Sequence, residues 1–215
     1  MKHLLKGLYV ITDKKLIARD RFLHIVEKAL IGGAKIVQIR EKDTPEEELI
    51  KLGKGLLEIT KKYGVPLIIN DSPELAKEIG ADGVHLGEDD LSVVAARELL
   101  GNEAIIGVSC YGNVERGVQA EREGGDYVAF GTPFFTPTKP ERKPIPFRVL
   151  REAKRRITGI PIFAIGGING QNARSILETG VDGIAVITSV FGSSDPEKAS
   201  RDLACLIVNV QAQAK

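Results

Sequence analysis

The sequence predicts an α/β fold, a single (βα)8 or TIM barrel domain over residues 1–215. Three observations predict it. Eight short runs are almost unbroken in Val, Ile, Leu and Ala, as strands buried on both faces should be. Helical patterns alternate with these runs and no composition break interrupts them, which argues for one domain. Finally, a glycine that closes a helical stretch, then a small or β-branched residue, a charged residue and an apolar run recur four times. The copies start at Gly33, Gly80, Gly124 and Gly180. They lie 47, 44 and 56 residues apart, about two helix–strand units each, and four such pairs make eight.

The strands are expected at 8–12, 36–40, 66–70, 83–86, 104–109, 127–131, 161–165 and 183–187. After the second, Thr44-Pro45-Glu46-Glu47 reads as a capping box with proline at the first helical position. Leu49, Leu52, Leu56 and Ile59 then share one helical face. After the third, Ser72-Pro73-Glu74 supplies a cap and a first-turn proline. The last helix is expected from about Asp195-Pro196, burying Leu203, Leu206, Ile207 and Val210. No Gly-x-Gly-x-x-Gly follows the first run, which weakens an open dinucleotide-binding sheet.

A formal net charge of +1 gives no polyanion or membrane affinity. Two distant cysteines, Cys110 and Cys205, make neither a disulfide framework nor a metal spacing. The apolar start is too short for a signal peptide, so a cytoplasmic protein is expected. Small molecules are the expected partners, not nucleic acid or membrane, and homo-oligomerisation is left open.

A parallel barrel brings the C-terminal ends of its strands to one face, and the polar residues cluster there. Gln38, Arg40 and Lys42 alternate along one side of the second strand end, where a bound diphosphate or a salt bridge to Glu41 or Asp71 would compensate the cations. Asn70-Asp71 ends the third strand; because Ser72 can cap the next helix, Asp71 is available for other work. Asp89-Asp90 follows the fourth strand and either caps a helix near Leu91 or works with Asp71. Two carboxylates with few other protein ligands suit Mg²⁺, which keeps waters and binds substrate phosphates. His85 reads as a hydrogen-bonded core histidine in preference to a ligand, and Cys110 as a small buried residue. Ser109 has no nucleophile-elbow context and reads as a hydrogen-bonding residue. Gly166-Gly167 and the stretch Ile187-Thr188 end the last two strands, where barrels build phosphate cradles. Thr136-Pro137-Thr138-Lys139-Pro140 suits either a flap over phosphates or a solvated turn.

These residues resemble the thiamine phosphate synthase family along nearly the whole chain. The resemblance rests on Tyr9-Val10-Ile11-Thr12-Asp13, Gln38-x-Arg40-x-Lys42, Ile69-Asn70-Asp71, the Gly80–Gly87 stretch followed by Asp90-Leu91, Gly107-Val108-Ser109, Thr136-x-Thr138-Lys139 and Ala164–Ile168. It implies a barrel that joins a pyrimidine diphosphate to a thiazole phosphate with loss of diphosphate. Gln38, Arg40, Lys42 and Asn70 would then hold the pyrimidine diphosphate, Asp71 and Asp90 would hold Mg²⁺, Ser109 would meet the pyrimidine and Lys139 the leaving diphosphate. Thr136, Thr138, Gly167, Ile187 and Thr188 would hold the thiazole phosphate. Thr188-Ser189 stand where the family usually has Ser-Ala, and the stretch 140–147 lacks its usual Gly-Leu. Two alternatives share the barrel: a thiazole tautomerase without metal, and a non-catalytic barrel that binds a thiazole phosphate.

Overall fold

The computed structural model describes residue 2 and residues 5–136 and 143–213. Its core is a closed barrel of eight parallel strands in sequential order. The strands are β1 Gly7–Ile11, β2 Ile36–Ile39, β3 Leu67–Asn70, β4 Gly83–Leu86, β5 Ile105–Tyr111, β6 Tyr127–Gly131, β7 Ile162–Ile165 and β8 Gly183–Val186. Every expected strand is present, each end within two residues of its expected place. Helices α1 Phe22–Ile31, α2 Glu46–Tyr63, α3 Pro73–Ile79, α4 Val93–Leu100, α5 Val114–Arg122, α6 Phe147–Arg156, α7 Ala173–Leu177, α8 Thr188–Phe191 and α9 Pro196–Gln213 surround it.

Strand alternation divides the apolar residues into two layers. Leu8, Val10, Val37, Ile39, Leu67 and Ile69 face outward and pack under the helices. Tyr9, Ile11, Ile36, Ile68, Ile105, Tyr127, Phe163 and Ala185 fill the barrel interior. Three aromatic rings dominate that interior: Tyr9, Tyr127 and Phe163 meet edge to face, with centroids 5.5–5.8 Å apart. Gly107 makes room for them, since a Cβ there would stand 2.0 Å from Tyr127 Cζ.

The repeated motif has a structural cause. Gly33, Gly80, Gly124 and Gly180 all take positive φ, the conformation that ends each helix and turns the chain into the next strand. In three copies the charged residue is an aspartate that accepts an amide from a neighbouring strand: Asp82 from Leu67, Asp126 from Ile106 and Asp182 from Ile162. The motif therefore closes the N-terminal face of the barrel and leaves the opposite face for chemistry.

Local expectations met mixed outcomes. Ser72 caps α3 by accepting from the Leu75 amide, as its position suggested. The capping box at Thr44 does not form: α2 begins at Glu46 with Pro45 at its N-cap position, and Thr44 Oγ1 accepts from Arg19 instead. Neither Asp89 nor Asp90 caps α4, because Ser92 does so through the Ala95 amide. In α9, Leu203, Ile207 and Val210 are buried and Leu206 is half-buried. Among the described residues no helix is long and apolar enough to cross a membrane.

Candidate active site

A cavity of about 400 Å³ opens at the C-terminal ends of the strands. On one flank Gln38, Arg40, Asn70, His85, Ser109 and Tyr111 line it from β2 to β5. Thr132, Phe134, Thr136, Lys143 and Ile145 border it from the chain after β6, and Gly166 and Ile187 from the far side. A smaller cavity of about 210 Å³ adjoins it, sharing Thr136, Gly166 and Ile187 and adding Gly167, Thr188 and Ser189. The mouth is thus one site with two lobes.

On the first flank, alternation along β2 directs Gln38 and Arg40 to the cavity. Gln38 is buried and its Nε2 donates to Tyr9 Oη at 2.5 Å. Arg40 is half-buried, and its amide donates to Thr12 Oγ1. Glu41 turns the other way, wholly buried against Arg19 at 3.3 Å, so the expected alternative of an Arg40–Glu41 pair is not what forms. Burial raises the Glu41 pKa, which Thr12 and Arg19 only partly oppose. Lys42 is exposed and lies outside the cavity lining.

His85 is a hydrogen-bonded core residue, with Nδ1 2.9 Å from Tyr127 Oη and Nε2 2.9 Å from Ser109 Oγ. Cys110 is buried, and burial pushes its thiol up to about 12, which leaves no thiolate for nucleophilic work. Between Ser109 and Tyr111 the β5–β6 register shifts, and Tyr111 takes φ 53°. Such a bulge re-aims a side chain, here Tyr111 into the cavity.

Asp71 follows β3 with φ 68°, a left-handed conformation that aspartate tolerates better than most residues, and its amide donates to the His85 carbonyl. Asp90 is half-buried and accepts the Gly87 amide through Oδ2 at 2.6 Å. Arg116 braces the same corner, donating to the Gly87 carbonyl at 2.6 Å and the Ser109 carbonyl at 2.8 Å. Neither aspartate lines the large cavity, though Asp71 directly follows Asn70, which does. Among the described residues no group of three or more His, Cys, Asp or Glu gathers. The donor set is therefore no protein cage. It fits a hard cation that takes one or two carboxylates and completes its shell from water and substrate.

The second flank is built from backbone. Gly167 takes φ 61°, and a Cβ there would stand 2.1 Å from the Phe135 carbonyl oxygen. Gly166 takes φ 115° and its carbonyl accepts from Thr132 Oγ1. Thr188, exposed, opens the short helix α8, whose first amides have no acceptor within the helix. Ser189 donates to the Ile168 carbonyl and ties the two loops together. Thr136 lies between the lobes; Thr138 and Lys139 fall outside the described residues.

Sequence reasoning overlooked several residues here. Tyr9 could have been suspected, since it places a hydroxyl at an inward position of an otherwise apolar strand. Lys143 and Ile145 lie in the stretch 140–147, where the sequence offers only a departure from the family's usual Gly-Leu. Arg116 belongs to no motif; only the folded corner reveals its two carbonyl partners.

A family model described as thiamine monophosphate synthase matches residues 8–190. The chain belongs to that family. It is 48% identical to a thiamine-phosphate synthase of Methylococcus capsulatus over 94% of this chain and 89% of the relative. It is 40% identical to one of Thermoplasma acidophilum, over 95% and 94% respectively. Among solved structures, a thiamine phosphate pyrophosphorylase from Pyrococcus furiosus superposes with a TM-score of 0.87 at 38% identity, covering 97% of this chain and 98% of that one. A geranylgeranylglyceryl phosphate synthase from Thermoplasma acidophilum, at 16% identity and a TM-score of 0.68, shares the fold alone.

Proposed function

We propose that this chain is a thiamine phosphate synthase. It joins 4-amino-2-methyl-5-hydroxymethylpyrimidine diphosphate to 4-methyl-5-(2-phosphoethyl)thiazole, giving thiamine monophosphate and diphosphate. Membership of the family supports the activity, and the observation that carries the substrate assignment is the two-lobed mouth. One lobe is lined by side chains that suit a polar ring and a diphosphate, and the other by glycine backbone that suits a monophosphate.

The reaction breaks the carbon–oxygen bond to the diphosphate, which departs with the electron pair. The pyrimidinylmethyl cation that remains is captured by the thiazole nitrogen lone pair. Gln38, Asn70 and Ser109 hold the ring, and Arg40 and Lys42, with Lys139, meet the growing negative charge of the diphosphate. Gly166, Gly167, Ile187 and Thr188, with Thr136 and Thr138, hold the thiazole phosphate so that its nitrogen faces the breaking bond. Asp71 and Asp90 would hold Mg²⁺, which neutralises charge on a departing diphosphate. No proton transfer is needed for ionisation, so the buried state of Cys110 and the core role of His85 are no obstacle.

Diphosphate release from both purified substrates, with and without Mg²⁺, tests the reading on wild type and Asp71→Ala. Release is expected only from wild type with metal. Equal release by the variant would remove the metal assignment. Isomerisation of a thiazole phosphate alone, indifferent to chelation, would replace the synthase with a tautomerase. Binding of the thiazole phosphate without turnover would leave a non-catalytic barrel.

A further inference from the structure

At the corner between β4 and β5 a single guanidinium holds two separate stretches of main chain. Arg116 lies in the first turn of α5, and its Nη2 donates to the Gly87 carbonyl at 2.6 Å while its Nε donates to the Ser109 carbonyl at 2.8 Å. Gly87 is held through its amide as well, which donates to Asp90 Oδ2 at 2.6 Å. We infer that Arg116 is a positioning residue: through Gly87 it sets the Asp90 carboxylate for a divalent cation, and through the Ser109 carbonyl it ties that carboxylate to β5.

Every bond in this set has one possible direction. Guanidinium and peptide nitrogens donate and carbonyl oxygens accept, and the Gly87 amide can only give its hydrogen to Asp90. The backbone of Arg116 is itself fixed, because Asn113 caps α5 by accepting the Arg116 amide at 3.1 Å. Gly87 leaves little slack, since a Cβ there would stand 3.0 Å from Asp90 Oδ2. With Oδ2 taken by the amide, the plane of the carboxylate is set, and Oδ1 is the oxygen left for a cation.

Helix stability does not ask for an arginine here. A cation in the first turn opposes the helix dipole, and Arg116 occupies that turn. Ion pairing does not account for it either, because among the described residues its side-chain partners are carbonyls and not a carboxylate. The planar fork of a guanidinium reaches two carbonyls from separate turns, which one ammonium nitrogen does not reproduce. A partner one step behind a metal ligand orients that ligand, and its loss costs about 10–100-fold in metal affinity. The inference deepens the proposed reaction: it rests on the assignment of Asp90 to Mg²⁺, and not on which ring the mouth takes.

Mn²⁺ is the probe, with inorganic diphosphate in place of the leaving group. Electron paramagnetic resonance measures free Mn²⁺ in the presence of the full-length protein, so the readout needs no turnover. Arg116→Gln and Arg116→Lys should each weaken Mn²⁺ binding about tenfold. Arg155→Gln, the same loss of charge at an exposed position of α6, should leave it unchanged. Lysine keeps the charge but not the second carbonyl, so equal losses in the two variants assign the effect to geometry. Arg116→Lys binding as wild type while Arg116→Gln does not would overturn the inference in favour of charge alone. A folded Arg116→Gln with wild-type affinity overturns it outright. If Arg116→Gln does not fold, Arg116→Lys decides by itself. Wild type that takes up no Mn²⁺ with diphosphate refutes the metal reading and the inference together, whereas variants that match a wild type which does bind refute the inference alone.

Discussion

The two lobes of the mouth are built on opposite principles. From β2 to β5 the site uses side chains, with Gln38, Arg40, Asn70, His85 and Ser109 reaching inward from regular strand ends. At β7 and β8 it uses main chain, with Gly166 and Gly167 at positive φ and the first turn of α8 beside them. A ring with distinct donors and acceptors is recognised by matching groups one by one. A phosphate has equivalent oxygens and asks only for converging amides and room to approach. The side-chain lobe should therefore separate function from stability when mutated, whereas the backbone lobe should couple them.

Arg40→Ala is the strongest challenge to that contrast. Removing a cation proposed to meet the leaving diphosphate should lower kcat by about 10²–10³-fold. The thermal midpoint should hold or rise, since a half-buried cation without ligand has little compensation. A midpoint that drops by many degrees while kcat survives would make Arg40 a structural residue and erase the distinction. On the other lobe, Gly167→Ala must hold φ near 61° and fit a Cβ 2.1 Å from the Phe135 carbonyl oxygen. It should destabilise by about 1–3 kcal/mol and raise the KM for the thiazole phosphate, as denaturant titration and steady-state kinetics would show. Loss of binding without loss of stability would mean that the glycine serves only the ligand. Lys143→Ala addresses the border between lobes. This exposed lysine lines the large cavity, so its removal should raise the KM for a phosphorylated substrate only a few-fold, about 0.2–1 kcal/mol, and less at high salt.

The same contrast explains what could be read from sequence. The barrel was legible because its signals are local: apolar runs, and glycines at 33, 80, 124 and 180 whose positive φ follows from ending a helix. Gln38 and Arg40 were legible because strand periodicity says which side they share, although the same periodicity placed Lys42 with them. The Ser72 cap was legible because donor and acceptor lie three residues apart. By the same local logic Thr44 was expected to cap α2, and there a distant residue prevailed when Arg19 took its hydroxyl. The Tyr9–Tyr127 bond joins residues 118 positions apart, and the β5 bulge is a property of register between two strands. Neither has a signature in one stretch of chain. The roles of Lys42, Asp71 and Asp90 were suggested by position, and none of the three is among the residues that line the large cavity.

Glu41→Gln gives the smallest expected effect and the finest test of the side-chain lobe. Glu41 stands between two residues assigned to the diphosphate, yet alternation turns it under the rim, where its Oε1 is buried without a hydrogen-bond partner. If facing is what confers function, the variant should keep kcat and both KM values within about twofold, about 0.4 kcal/mol. Its stability should differ in a pH-dependent way. Burial raises the folded-state pKa of Glu41, so the folded chain holds that proton more tightly than the unfolded one. Wild-type stability contributed by this group is thus complete below the unfolded pKa of glutamate and declines as pH rises through the folded value. Glutamine carries no such titration. Relative to wild type, Glu41→Gln should gain stability as pH rises from acid towards neutrality, as paired denaturant curves would show. A variant that instead loses ground with rising pH would mean the Arg19 pairing outweighs burial, and that the ionised carboxylate is what holds the base of this lobe together.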